Sequence, residues 1–195
     1  MQAVTLTTDR LELTPPKPDD VEAIYAGCQD PLIARSTPIP SPYLRSHAEE
    51  FVERTARGWD EGVNLDWAIR RRDRSSSDPT LVGMIGLYRN DGKGQAELGY
   101  WIAPEARRQG YVVEAARAVI DWGFSPEGRD LVRIEWRANT ANIGSARAGR
   151  ALGFRYEGLL RQGLTNGLGK RADGWMAALL RDDGRTPPPW PVLEV

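Results

Sequence analysis

One segment of this 195-residue chain combines residue types that bind phosphate. Gly99–Ala118 has the pattern of a strand that ends at Ile102, a tight turn, and a helix entered through Arg107–Tyr111. A helix that begins in this way directs backbone N–H groups and the positive end of its dipole at one place, which favours an anion. Two arginines add charge, and Gly110 lets the main chain approach a phosphate closely. The segment also fits an ordinary strand, turn and helix with a solvated basic turn.

A second segment lies downstream of the first. Asn142–Ser145 opens a short helix that closes with the Ala-Leu-Gly-Phe sequence of Ala151–Phe154. Together the two segments resemble the GNAT acyltransferase superfamily, and more narrowly its branch of ribosomal-protein N-terminal alanine acetyltransferases. Thr8–Leu13 is similar to the first strand of that branch and Glu97–Trp101 to its fourth, while Asp173 stands where the last strand often carries an acid. The resemblance covers the chain from about residue 6 to residue 180.

The hydrophobic pattern alternates between strands and helices and contains no obvious domain break. The patterns predict strands, helices and turns as follows: strands at Leu11–Leu13, Leu65–Ile69, Leu81–Tyr88, Gln95–Ile102 and Val132–Ala138; a helix capped by Asp19 or Asp20 that runs to Ala26; a helix with a capping box at Ser46–Glu49; a helix over Val112–Gly123; a closing hairpin of Tyr156–Leu160 and Trp175–Leu180; a solvated loop at Arg71–Pro79; and a turn at Asn90–Gly94. A strand, a crossover helix and another strand imply one parallel pair in an otherwise antiparallel sheet.

The resemblance implies the fold more completely. We expect an α/β (α+β) fold with a mixed, mostly antiparallel seven-stranded sheet flanked by helices, in which strands four and five are parallel and splayed. Residues 1–184 are predicted to form a single acyltransferase domain, followed by a Pro-rich C-terminal tail at residues 185–195. The resemblance also implies dimerisation through the last strands.

Composition limits the classes of partner and cofactor. The 26 basic and 27 acidic side chains give a net charge of −1, which predicts neither a nucleic-acid nor a membrane partner. The lone Cys28 provides no disulfide framework, which indicates a cytoplasmic protein. Neither a signal peptide nor an apolar run near the ~18 residues of a spanning helix is visible. One histidine and one cysteine form no recognisable metal-ligand cluster, so we expect no metal.

The resemblance implies that an acyl-CoA substrate lies between the two splayed strands, which end near Ile102 and Asn139. Its pantetheine arm would pair with exposed strand backbone, the N–H near Ile102 would polarise the thioester carbonyl, and the phosphates would bind backbone amides. The predicted acetyl-CoA-binding residues are Ile102, Arg107, Arg108, Gln109, Gly110, Tyr111, Val112, Asn142 and Ser145. The chain departs from the family pattern at two positions. Val112 replaces a small residue, which would crowd the pyrophosphate, and Arg108 replaces a glycine common in this branch.

The resemblance implies that the Ser145 hydroxyl protonates, or donates a hydrogen bond to, the departing sulfur. Many GNAT enzymes instead use a tyrosine four residues before the Gly-Phe pair, and this chain has Gly149 there. Ser145 also fits a first-turn serine that bonds local backbone. Asn142 would bond the pantetheine or an ordered water, and it also fits a helix cap.

Glu97 is the candidate general base. Glu97, Gly99 and Trp101 share one strand face, so the carboxylate could take the amine proton through water beside an aromatic wall. The alternative is a rim carboxylate paired with an arginine. Weaker candidates are Glu135 and Asp173, while His47 lies in the first turn of a helix and fits a solvated or packing role.

The sequence predicts an N-acyltransferase that moves an acetyl group from acetyl-CoA to a primary amine on a small molecule or a protein N-terminus. Three alternatives stay open: a CoA-binding regulatory module without turnover, an interaction domain without a CoA site, and a transferase with a longer donor such as succinyl-CoA. Residues that could line the acceptor site are Tyr43, Trp59 and Leu164–Leu168.

Overall fold

A computed structural model describes residues 1–72, 79–88 and 93–193. The strands are β1 (Leu6–Thr7), β2 (Leu11–Thr14), β3 (Leu65–Arg71), β4 (Thr80–Tyr88), β5 (Gln95–Ile102), β6 (Arg133–Asn139), β7 (Arg155–Thr165) and β8 (Arg171–Leu180). The helices are α1 (Val21–Gly27), α2 (Pro31–Ser36), α3 (Arg45–Glu61), α4 (Tyr111–Phe124) and α5 (Ile143–Ala151). None of the helices in these ranges is both long and apolar enough to cross a membrane.

The strands form one mixed sheet in the order β1-β2-β3-β4-β5-β6-β8-β7. Neighbouring strands are antiparallel except β5 and β6, which are parallel. This confirms the predicted mixed sheet with one parallel pair. The sheet has eight strands instead of the predicted seven because Leu6 and Thr7 pair with Leu13 and Glu12, a contact too short to leave a periodic pattern in the sequence.

The parallel pair is short. Its pairing runs from Gln95 opposite Arg133 to Glu97 opposite Glu135, although β5 continues to Ile102 and β6 to Asn139. On its other side β6 pairs with β8 along its whole length, from Arg133 to Asn139. The two strands therefore diverge beyond Glu97, which is the splay that the resemblance implies.

Two predicted local features differ in the structure. The helix predicted to begin at Ser46 begins at Arg45, and its first turn is capped by His47, whose Nδ1 accepts the Leu44 N–H at 3.1 Å. The closing hairpin is longer than predicted because bulges interrupt the alternation of β7 near Gly158 and between Leu160 and Leu164. Most of the predicted loop at 71–79 and most of the predicted turn at 90–94 lie outside the described residues.

The two faces of the sheet carry different cores. Helix α4 covers one face with Ala115, Ala116 and Val119, which recur at helical spacing and are fully buried. Helices α1 and α3 cover the other face, where a buried ion pair anchors the first helix. Asp20 accepts two hydrogen bonds from the Arg70 guanidinium at 2.8 and 2.7 Å. Asp20 immediately precedes α1 as predicted, but its side chain binds β3 instead of capping the helix.

Trp190 anchors the C-terminal segment in the domain, where Val192 and Leu193 also pack against the core. Trp190 is fully buried, and its indole N–H donates to the Phe154 carbonyl at 2.8 Å. Its ring lies 5.3 Å from that of Trp136 on β6. A Cβ atom at Gly149 would lie 3.3 Å from the Trp190 ring, so this glycine provides the space that the indole occupies. The boundary at residue 184 stays a prediction.

Replacing Trp190 with alanine is expected to lower the free energy of unfolding by about 3–5 kcal/mol, because the change leaves a cavity and an unpaired Phe154 carbonyl. Urea unfolding followed by circular dichroism measures this difference. Leu159→Ala, which truncates a half-exposed side chain, is the control and should cost less than about 1 kcal/mol. A loss of that small size for Trp190→Ala would contradict the assigned packing.

Candidate active site

The divergence of β5 and β6 leaves main-chain donors in the space between the strands. The Ala103 N–H donates to the Val82 carbonyl at 2.9 Å, so residue 103 bonds toward β4. In an antiparallel ladder the direction alternates, and the N–H groups of Tyr100 and Ile102, beyond the last paired residue Glu97, are therefore directed toward β6. Since β6 pairs with β5 only as far as Glu97, these donors border an open gap. An extended chain that carries carbonyl groups could pair with them.

Three side chains meet at this gap on the α4 face. The Tyr100 and Ser145 hydroxyl oxygens lie 2.8 Å apart, and the Trp136 indole N–H donates to Ser145 Oγ at 3.1 Å and to Tyr100 Oη at 3.3 Å. Ser145 thus bonds to side chains of two strands, not to the local backbone. Asn142 caps α5 by accepting the Ser145 N–H at 3.1 Å, which is the capping alternative given above.

Tyr100 is a candidate proton donor that the sequence reasoning missed. Burial raises the pKa of its phenol above the ordinary value, and hydrogen bonds with Ser145 and Trp136 act in the opposite direction. The phenol is therefore protonated at neutral pH and can donate a hydrogen. A signal was present in the sequence, since Tyr100 alternates with Leu98 and Ile102 and is the polar member of an apolar face.

The predicted phosphate loop has the expected backbone geometry. Gly110 adopts a φ of 81° immediately before α4, and Arg108 adopts a φ of 61°. Both values lie in the left-handed region, which favours glycine and explains why the resemblance implies a glycine at position 108. The first amides of α4, from Tyr111 to Val113, have no carbonyl of the same helix within reach and are free to bind an anion.

The side chains of this loop differ in their contacts with the domain. Arg107 pairs with Asp30 and donates to the Ile102 carbonyl at 3.2 Å, so its guanidinium links the loop to the start of α2. Arg108 is exposed and is the loop arginine that is not drawn into the domain. Val112 is half-buried against the core, so its branched side chain packs under the loop.

Arg10 is a further cation at the loop that the sequence reasoning missed. Its guanidinium pairs with Glu114 at 2.6 Å, donates to the Gln109 carbonyl at 3.1 Å and lies 4.8 Å from the centre of the Tyr111 ring. These contacts hold the loop against the first strands. Partial burial acts to raise the pKa of Glu114, but hydrogen bonds from the Thr8 hydroxyl and from Arg10, with the charge of Arg10, lower it below the ordinary value.

A cavity of about 580 Å³ lies beside the gap. Its wall contains Glu97, Gly99 and Trp101 of β5, Arg137 of β6, and Asn142 and Ser145 at the start of α5. Tyr43 contributes to the wall as predicted, whereas Trp59 is a core residue, and Leu164–Leu168 do not line this cavity. The catalytic candidates Ser145 and Glu97 therefore border the same cavity.

The other predicted acid–base candidates have structural partners. Arg137 bonds Glu135 at 2.7 Å and lies 3.8 Å from Glu97. Asp173 accepts the Gln162 N–H at 2.7 Å within the β7–β8 hairpin. Glu97 also has a cationic neighbour in Arg137, which is the paired-carboxylate alternative given above, and its role as the base stays a prediction. In the described part of the chain, histidine, cysteine and carboxylate side chains form no cluster of three or more that could hold a metal.

Asp66 on β3 is a buried carboxylate in the same cavity wall. It accepts a hydrogen bond from the Tyr88 hydroxyl, and the Thr55 hydroxyl lies 3.5 Å from its second oxygen. Burial raises the pKa of Asp66 to about 6, although the bonds with Tyr88 and Thr55 and the charge of Arg54 oppose the shift. The carboxylate is therefore mostly ionised above neutral pH, at a cost in stability.

The comparison with known sequences decides the family. The acetyltransferase (GNAT) domain family matches residues 10–155. The chain belongs to the GNAT acetyltransferase family. It is 34% identical over 158 residues to the uncharacterized N-acetyltransferase YoaA of Bacillus subtilis (strain 168). The match covers 80% of this chain and 86% of YoaA. It is thus a transferase of the N-acetyltransferase class.

Solved structures share the fold. The ribosomal L7/L12 alpha-N-protein acetyltransferase RimL, in complex with coenzyme A, superposes with a TM-score of 0.77 at 18% identity, covering 91% of this GNAT chain and 98% of RimL. The microcin C7 self-immunity acetyltransferase MccE, in complex with acetyl-CoA and AMP, superposes with a TM-score of 0.76 at 18% identity. This superposition covers 89% of the GNAT chain and 93% of MccE. The neighbours of this GNAT protein thus include a ribosomal-protein alpha-N-acetyltransferase and a microcin C7 self-immunity acetyltransferase.

Replacing Asp66 with asparagine tests the cost of burying its charge. The folded protein holds the Asp66 proton up to about pH 6, whereas an unfolded chain releases it near pH 4. The wild type therefore loses stability relative to Asp66→Asn as the pH rises from 4 to 7.5. We expect this loss to be about 2–3 kcal/mol in urea unfolding. A difference between the two proteins that does not change with pH would contradict the assignment.

Proposed function

We propose that this GNAT protein is an acetyl-CoA-dependent N-acetyltransferase that acetylates a primary amine of a small molecule or a protein N-terminus. The observation that carries the proposal is the gap between β5 and β6, which has main-chain donors along one strand and paired hydroxyls beside it. The family, and the complexes of MccE with acetyl-CoA and of RimL with coenzyme A, support the choice of donor. The single cysteine, free and buried, is consistent with a cytoplasmic location.

The proposed donor site runs from the loop to the gap. The amides from Arg108 to Val112 would bind the phosphates, with added charge from Arg108. The pantetheine amides would pair with the exposed edge of β5, and the Ile102 N–H would stabilise the oxyanion of the thioester carbonyl. Arg107 would act indirectly, because its bond to Asp30 and its bond to the Ile102 carbonyl fix the loop.

The proposed reaction is direct transfer. The neutral amine attacks the thioester carbonyl carbon, the new C–N bond forms, and the C–S bond breaks. The proton of the attacking amine passes to Glu97 through water, and the leaving thiolate receives a proton from the hydroxyl pair of Tyr100 and Ser145. The 2.8 Å contact in this pair allows the tyrosine to reprotonate the serine, so the two hydroxyls act as one donor.

Reversing the charge at the loop tests the donor site. We expect isothermal titration to give micromolar binding of acetyl-CoA to the wild type and at least about tenfold weaker binding to Arg108→Glu, because the variant places a carboxylate beside the phosphates. Arg117→Glu makes the same change in net charge at an exposed position of α4 away from the loop, and it should bind within about twofold of the wild type. Equal affinities for both variants, or no binding by the folded wild type, would refute the site.

Removing the hydroxyls tests the proton donor. With acetyl-CoA and a panel of small primary amines and peptides, Tyr100→Phe and Ser145→Ala should each lower kcat by about 10- to 100-fold, as loss of a general acid predicts. Acetyl-CoA affinity should stay within a few-fold of the wild type. CoA release is followed with a thiol reagent, and Tyr25→Phe on α1 is the matched control. A rise in KM with kcat unchanged would argue against the role.

A further inference from the structure

Three carboxylates are buried in the part of the chain that the structure describes, and they differ in their counter-charge. Asp20 holds the Arg70 guanidinium with two hydrogen bonds, and Glu135 holds Arg137 at 2.7 Å. Asp66 is as deeply buried, with 4% of its surface exposed, but no described lysine, arginine or histidine nitrogen lies within 4.0 Å of it. A buried charge of this kind costs stability unless a cation reaches it.

Strand pairing and a tyrosine ring orient the Asp66 side chain toward the cavity. Asp66 pairs with Gly86 across β3 and β4, and Gly86 pairs with Gly99 across β4 and β5. The Tyr88 ring lies over these two glycines, since a Cβ atom at either position would come within 2.7 Å of it. The ring thus forms the floor of the cavity, and its hydroxyl donates to Asp66 and fixes the carboxylate.

The charges around Asp66 leave room for a cation. Arg54 on α3 is exposed, lies over the Phe51 ring at 5.5 Å and acts on Asp66 only through space. Glu97 on β5 and Glu50 on α3 add negative charge to the cavity wall. His47 accepts the Leu44 N–H at the start of α3. The other wall cation, Arg137, is held by Glu135.

The remainder of the cavity suits a small organic molecule. Tyr43, Phe51 and Trp101 provide an apolar and aromatic wall. The wall segment at residues 36–40 is fixed to the β7–β8 turn, because the Gly167 N–H donates to the Ala34 and Thr37 carbonyls at 2.9 and 2.7 Å. A volume of about 580 Å³ lies in the range of small-molecule sites.

We propose that Asp66, oriented by Tyr88, binds the ammonium group of the acceptor, and that the acceptors are small cationic primary amines with an apolar or aromatic body. This inference rests on the proposed function, because it assigns the acceptor end of the same site. The ammonium binds Asp66 with a charge-assisted hydrogen bond, and the body lies against the aromatic wall. Asp66 selects and orients the ammonium, which releases one proton to water so that the neutral amine can attack, and Glu97 accepts the second proton during transfer.

The test uses phenethylamine and its neutral analogue 2-phenylethanol, which differ only in the ammonium and hydroxyl groups. Each compound is titrated into the isotopically labelled full-length protein at pH 7.5 without an acyl donor, and amide shifts report binding. We expect the amine to bind the wild type at least about tenfold more tightly than the alcohol does. Asp66→Asn should weaken amine binding about 10- to 100-fold and leave alcohol binding unchanged, as loss of a charged hydrogen bond predicts.

Two variants separate the site from general charge. Glu53→Gln removes the same charge at an exposed position of α3 outside the cavity wall and should change amine affinity by less than about twofold. Tyr88→Phe keeps the ring but releases Asp66, and it should weaken amine binding by several-fold. Equal binding of amine and alcohol to the wild type, no binding of either, or equal effects of Asp66→Asn and Glu53→Gln would each overturn the inference.

The outcome is independent of the proposed function because the titration contains no acetyl-CoA. A protein that binds phenethylamine through Asp66 but never binds acetyl-CoA would retain the ammonium site and refute the transferase proposal. A protein that binds acetyl-CoA but does not prefer the amine over the alcohol would retain the donor site and refute this inference.

Discussion

The structure depends on the point at which two neighbouring parallel strands stop pairing. Beyond Glu97, β5 keeps β4 as its partner on one side and β6 keeps β8, so each strand is held while the space between them opens. Exposed main-chain donors in the middle of a sheet are costly unless a ligand or water meets them. This constraint creates a binding edge inside the domain, where both faces of the sheet can supply side chains to one point.

The two faces supply different chemistry. On the α4 face, Tyr100 and Ser145 bring hydroxyls together under the indole of Trp136. On the other face, Asp66 and Glu97 bring carboxylates to the cavity. A proton donor and proton-accepting or cation-binding groups are thus kept on opposite sides of the sheet. This separation suits a reaction in which one partner must receive a proton and the other must lose one.

The C-terminal segment packs against the tryptophan that bonds the hydroxyl pair. Trp190 fills the space above Gly149 and packs against Trp136, which donates to both hydroxyls. Gly149 stands where the resemblance implies a tyrosine, and the structure provides two other aromatic groups there. Tyr100 reaches Ser145 from β5, and Trp190 occupies the volume that a larger residue at 149 would need.

The sequence by itself determined most of the elements, though not β1 or α2, and it indicated the family. Period-two alternation marked β3 and β6, helical spacing marked α4, and Gly110 marked the turn into it, because these signals depend on residues near one another in the chain. Tertiary structure decided the partners of the side chains. Arg107 turned toward Asp30, and Asp66 became a buried acid that forms no ion pair with a basic side chain in the described part of the chain. Such outcomes depend on contacts between distant segments, and no local pattern records them.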